Sequence, residues 1–96
     1  MMIKLLRSAR LTGWQCGYRV DGCEIDIAFP EDQIAIELDG WAWHSDVERF
    51  RRDRQRQNAL VLAGWTILRF TWHDLTDRPK AVVAEIQSAL RGRPAA

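Results

Sequence analysis

The chain has little of several things, and each shortage narrows what it can be. Its 96 residues hold only two cysteines, Cys16 and Cys23, too few for a disulfide-stapled fold. No CxxC occurs, and with His44 and His73 the two thiols make no recognisable zinc spacing. They read as reduced thiols of a cytoplasmic protein without a secretory leader. No apolar run approaches the roughly 20 residues that cross a bilayer, which excludes a helical membrane anchor and points to a soluble protein. An excess of one charge is missing too, since 14 Lys and Arg stand against 13 Asp and Glu. The chain as a whole is not a polybasic binder, so any nucleic-acid affinity must come from local clustering. Repeats, low-complexity segments and signatures of an organic cofactor are absent as well.

What remains is a hydrophobic fraction of 47%, enough to give residues 1–96 the core of one domain. Ile3 to Leu11 reads as a short helix, with Ile3, Leu6 and Ala9 or Arg10 at helical spacing and Gly13 near its end. Strands around Tyr18–Val20 and Cys23–Phe29 flank Asp21-Gly22, a dipeptide suited to a tight hairpin turn. Pro30-Glu31-Asp32 marks another turn, and Gln33 to Asp39 a third strand. Asp46 to Ala63 lacks Gly and Pro and reads as a helix, with Ser45 or Asp46 as cap and Gly64 as stop. Its apolar second half, "NALVLA", is expected to dock on the sheet. Trp65 to Phe70 returns as a strand, and Arg78 to Leu90 as an amphipathic helix with Val82, Ile86 and Leu90 along one side. The order α-β-β-β-α-β-α predicts an α/β layer fold with a mixed sheet.

The third strand poses the question of function. "IELDGWAWH", Ile36 to His44, places two carboxylates in an apolar strand and ends in aromatic rings and a histidine. Side chains alternate across a strand. In "CEIDIAF", Cys23, Ile25, Ile27 and Phe29 therefore share one face, and Glu24, Asp26 and Ala28 the other. In "QIAIELD", Ile34, Ile36 and Leu38 oppose Ala35, Glu37 and Asp39. A loop of Pro30 to Gln33 sets Phe29 opposite Ile34, hence Asp26 opposite Glu37 and Glu24 opposite Asp39. Facing carboxylates repel, and if partly buried one takes a raised pKa unless something positive lies between them. A hard divalent cation, Mg²⁺ or Mn²⁺, meets that need. The other reading makes this face the solvent side of an antiparallel sheet, where Asp and Glu are ordinary.

The surroundings favour a site. Gly40 permits a sharp exit from the strand, and "WAWH" delivers His44 within a few residues of the acids, where it can take a proton or activate water. Trp41 and Trp43 could stack on nucleobases, although one of them is expected to serve the core or a lid. Trp65 and Trp72 are assigned to the core. In "ERFRRDRQRQN", Arg49, Arg51, Arg52, Arg54 and Arg56 fall within about two helical turns. Five arginines directly after an acidic site suit forked contacts with phosphate oxygens, although Glu48 and Asp53 offset part of the charge.

"IDIAFPEDQIAIELDGWAWH", followed by "RRDRQRQNALVLAGWTILRFTWHDL", resembles the very-short-patch-repair-like endonucleases of the PD-(D/E)XK superfamily, over about residues 17 to 75. The resemblance implies a restriction-endonuclease-like αβββαβ core, with a C-terminal helix over about 78–91, and Mg²⁺-dependent hydrolysis of DNA phosphodiester bonds. It implies Asp26 as the metal-binding aspartate, Glu37 at the second acidic place, and Asp39 where most relatives have lysine. The main-chain carbonyl of Leu38 would be a further metal ligand, His44 the active-site histidine, and Trp43 a ring lying against DNA. Two departures stand beside it. The first helix lacks the acid that relatives often carry there, a place that Glu24 could fill, and two cysteines cannot supply the structural zinc of the mismatch-repair members.

Two functions follow as expectations. The first is a metal-dependent DNA endonuclease or nickase. A monomer would carry one site and nick, whereas a double-strand cut needs a two-fold homodimer or two successive nicks. The second is a degenerate nuclease fold that binds nucleic acid or a partner, as in toxin–antitoxin or mobile-element settings. Clustered carboxylates favour the first, because a mere binder has no use for them beside DNA phosphates.

Overall fold

The computed structural model describes residues 2–20, 22–39 and 47–92, the side chains of 39, 47–50 and 53 excepted. Helix α1 (Met2–Ser8) leads into strands β1 (Gln15–Val20), β2 (Cys23–Phe29) and β3 (Ile34–Asp39). Helix α2 (Val47–Leu62) crosses to β4 (Thr66–Thr71), and α3 (Trp72–Asp77) and α4 (Pro79–Arg91) follow. The sheet order is β1-β2-β3-β4, antiparallel at the first two junctions and parallel between β3 and β4. A parallel pair needs a long crossover, and α2 is that connection.

The turns explain the boundaries. Val20 faces Cys23 across the two-residue Asp21-Gly22 link, with Gly22 at φ +79°. Phe29 faces Ile34, as the loop length predicts. Helix α1 ends earlier than its sequence suggests. Arg10 adopts φ 58°, and the Leu11 N–H reaches back to the Leu6 carbonyl at 3.0 Å, which closes the helix before Gly13. The buried side of α1 is Met2 and Leu6, four residues apart, and Ile3 is exposed. At the end of α2, Gly64 (φ +95°) lets the Trp65 N–H reach the Leu60 carbonyl at 2.9 Å, so this glycine stops the helix as expected.

Two apolar clusters sandwich the sheet. The larger joins Met2 and Leu6 of α1, Ile27, Phe29, Ile34, Ile36 and Phe70 of the strands, Leu75 of α3, and Val82 and Ile86 of α4. The smaller joins Ile25, Ala28 and Ala35 with Leu60 of α2 and Trp65. Tyr18 packs on it, its ring centroid 6.0 Å from that of Trp65.

Four expectations need correction. Ile25 and Ile27 belong to opposite clusters, not to one face. The simple alternation fails where Gly17 turns to φ +61° and its would-be partner Asp26 drops out of the β1–β2 ladder. The β2–β3 ladder stops at Ile27–Ile36, so Glu24 and Asp39 are not ladder partners. The apolar end of α2 docks through Leu60, while Val61 (54% exposed) and Leu62 (88% exposed) turn about 100° per residue away from the sheet. Trp72, assigned to the core, is 52% exposed. The chain turns directly from β4 into α3, an element the sequence reading missed. The Thr71 hydroxyl accepts the Asp74 N–H at 3.2 Å and the Asp74 carboxylate accepts the Thr71 N–H at 2.9 Å. This reciprocal cap starts a helix with Trp72 at its first position. The Thr71 N–H and the Arg78 guanidinium hold Asp74 below the ordinary carboxylate range.

The thiols of Cys16 and Cys23 are free. Their partners across the hairpin are Ile27 and Val20, so they sit far apart along the ladder, well beyond disulfide reach. Among the described residues, no helix is long and apolar enough to cross a membrane.

Candidate active site

The site forms where β2 parts from β3. Beyond Ile27–Ile36 the Asp26 side chain enters the ladder's place, with Oδ2 accepting the Leu38 N–H at 2.9 Å. A carboxylate that takes a main-chain amide is fixed by the sheet itself, and here it is fixed beside Glu37. The two acids are close enough for one to hydrogen-bond the other. The sequence therefore placed Asp26 and Glu37 together correctly, although by side-chain insertion and not by a continued ladder.

Glu37 is the one charged residue among the buried described side chains, at 5% exposure. Its pKa is pushed up to about 7. Burial is the main cause, and the neighbouring Asp26 adds to it, while Arg56 and Arg69 pull the other way. A carboxyl of this kind exchanges its proton near neutrality.

Arg56 lies on α2, one helical turn before the buried Leu60. Its Nη2 donates to Glu37 Oε1 at 3.3 Å, and its Nη1 to the Glu24 main-chain carbonyl at 2.9 Å. One guanidinium thus joins α2, β2 and β3. Arg69 of β4 is the parallel cross-strand partner of Glu37, and its Nη2 donates to Gln57 Oε1 at 2.8 Å. Sequence reasoning missed Arg69 and Gln57, and it gave Arg56 to phosphate contact alone. The available signal was an arginine inside an otherwise apolar strand, "TILRF", the counterpart of a glutamate inside "IAIELD".

The remaining expected residues fall as follows. Leu38 is paired in the sheet, its Cα partner Phe70, and its side chain packs on the larger cluster. Asp39 ends β3 opposite Thr71, with its side chain outside the described set. Trp41, Trp43 and His44 lie outside the described residues, and Arg49 is described in its backbone alone. Arg51, Arg52 and Arg54 are exposed on α2. Among the described residues no group of three or more metal-ligating side chains converges. The Asp26–Glu37 pair nonetheless fits a hard divalent cation. Glu37 offers carboxylate oxygens in a buried place that binds a proton unusually well, and the exposed Asp26 adds a second carboxylate beside it. A cation would supply the positive charge that such a pair needs.

The fold has a solved counterpart. The homing endonuclease I-Bth0305I catalytic domain superposes with a TM-score of 0.79 over 98% of this chain and 93% of that one, at 19% identity, a likeness of fold. The type II nicking enzyme V.HpaIIP of Haemophilus parainfluenzae is 28% identical over 88 residues, covering 71% of this chain. An uncharacterised Mycobacterium tuberculosis protein, MT2308, is 31% identical over 62 residues, or 65% of this chain. The chain spans 62% of the length of the first and 23% of the second. Residues 2–90 match the REase_MTES_1575 model, nearly the whole chain, and with its α/β architecture the chain belongs to this family of restriction-endonuclease-like proteins.

Proposed function

We propose that this domain is a divalent-metal-dependent DNA endonuclease, of the very-short-patch-repair-like kind, that nicks one strand at each site. The observation that carries the reading is the Asp26–Glu37 pair, built into the break between β2 and β3, with Glu37 buried and its pKa pushed up to about 7. Its support includes a nicking enzyme among the similar proteins.

Asp26 and Glu37, joined by Asp39 and the Leu38 carbonyl, would hold Mg²⁺ or Mn²⁺. Such an ion, when bound, polarises a phosphate oxygen and lowers the pKa of an attacking water. The chain's own residues supply the rest. The Leu38 amide keeps Asp26 aimed at the site. Arg51, Arg52 and Arg54, exposed on α2, and Arg49 on the same helix would take the DNA backbone, which positions the duplex without reading its sequence. His44 would accept the proton of the water or steady the charge that builds on the phosphate. Trp41 and Trp43 would lie against the bases.

One observation favours the second reading, a binding module that has lost its chemistry. Arg56 already gives Glu37 a positive partner, so the carboxylate has a counter-charge without a cation. Supercoiled plasmid separates the two. The native chain should convert it to open circle with Mg²⁺ or Mn²⁺ only, Asp26→Asn should abolish conversion, and His44→Ala should slow it on the order of a hundredfold or more. Salt-sensitive retention of DNA by a folded chain that never cleaves would establish the binding module instead.

A further inference from the structure

Arg56 stands apart from the arginines that precede it. Arg51, Arg52 and Arg54 are exposed, whereas Arg56 is half-buried and its guanidinium is shared between two strands. Its place on α2 is set by Leu60, four residues on, which is seated in the smaller apolar cluster on the same side of the helix. The fork is planar and rigid, so the position of one nitrogen dictates that of the other. Nη1 is anchored at 2.9 Å on a main-chain carbonyl, that of Glu24, whose position does not depend on any ionisation. Nη2 meets Glu37 at 3.3 Å, long for a charge-assisted bond, which falls at about 2.7–2.9 Å when tight. The guanidinium is thus held firmly by the sheet backbone and loosely by the carboxylate.

We propose, resting on the metal-site reading above, that Arg56 is the positioning residue of the carboxylate pair and a resident counter-charge with which a divalent cation must share Glu37. The carbonyl anchor keeps the guanidinium in place when Glu37 changes partner. Glu37 is therefore oriented toward Asp26 before a cation arrives, and the positive charge stays beside the site afterwards. The two effects have opposite signs for metal. Orientation favours productive ligation, while a fixed cation a few ångströms away weakens the binding of another cation. Removing Arg56 should tighten metal binding and slow cleavage together. A residue that merely propped α2 on the sheet would, on removal, weaken both.

The test titrates Mn²⁺ by calorimetry into the full chain and its Arg56→Met and Arg56→Lys variants, at about pH 8.5 so that protons do not compete for Glu37. Nicking of plasmid at saturating Mn²⁺ is measured beside it. Arg56→Met should bind Mn²⁺ on the order of tenfold more tightly and nick at least about tenfold more slowly, with Arg56→Lys close to the native affinity because it keeps the charge. Equal or weaker Mn²⁺ binding by folded Arg56→Met overturns the inference while leaving the metal site standing. A folded native chain that takes up no Mn²⁺ sinks the metal site and this inference with it. Should Arg56→Met not fold, Arg56→Gln, which retains a donor for the Glu24 carbonyl, carries the same comparison.

Discussion

The two faces of the sheet are built to different ends. The face under α1, α3 and α4 is filled with large side chains, including Phe29, Phe70, Leu6, Ile34, Ile36 and Ile86, all essentially without solvent contact. The face under α2 is thin. Where the helix crosses β2 and β3 the strands present Ala28 and Ala35, direct partners across the ladder, with Ile25 as the one large strand side chain fully buried in that cluster, and α2 contributes Leu60 as its buried apolar residue among those described. Next to these lie a buried carboxyl and a half-buried guanidinium. Apolar burial yields roughly 25 cal/mol per Å², so the thick face carries most of the folding energy. The thin face gives part of that up to hold charges out of water. A domain of this size can afford such a face only because the other is so complete.

Substitutions on each face sharpen the contrast. The largest effect belongs to the thick face, where Phe70→Ala should cost about 3–5 kcal/mol, a large part of the stability of a small domain. Urea unfolding would show it, and a loss below about 1 kcal/mol would mean that the two faces are energetically alike.

On the thin face a substitution should act with the opposite sign. Glu37 has a folded pKa of about 7 against 4.5 when unconstrained, so the folded chain holds its proton more firmly than the unfolded one. Both forms are protonated at pH well below 4.5, and the carboxyl then costs nothing. The cost grows as pH rises from 4.5 to about 7 and is constant above. Glu37→Gln should therefore stabilise the metal-free chain at pH 8, by at most about 3 kcal/mol, and by little at pH 4, while abolishing nicking. Thermal unfolding at the two pH values reads the difference directly. A variant less stable than the native chain at pH 8 would show that the ion pair with Arg56 outweighs the burial of the charge.

The smallest effect is expected at the free edge of α2. Leu62→Gln should change stability by no more than about 0.5 kcal/mol, because Leu62 is 88% exposed despite its apolar neighbours in sequence. A loss of 2 kcal/mol or more would mean that "NALVLA" docks as its composition suggests.

These contrasts show how far the sequence reaches. Gly64, Gly22 and the Pro30–Gln33 loop set their turns by local chemistry, and local chemistry is legible in a single chain. The Phe29–Ile34 register follows from loop length and brings Asp26 into the neighbourhood of Glu37, although the ladder stops one pair short of them. Helix α3 carries a local signal too, Thr71 and Asp74 at capping-box spacing, but its six residues are too few to display a helical period. The exposure of Trp72 is not legible for a different reason, since an aromatic residue looks apolar wherever the chain puts it.

By itself, then, the sequence determined the order of the elements, the hairpin turns, the end of α2 and the identity of the two facing acids, all of which depend on spacing within a few residues. Only the tertiary structure decided that Asp26 takes a main-chain amide, that Glu37 is buried, and that Arg56 and Arg69 come to it from a helix and a parallel strand. The parallel pairing of β3 with β4 joins residues about thirty positions apart, Glu37 with Arg69 among them. Nothing local encodes such a register. It is settled when the two apolar clusters close and carry the charged side chains into place.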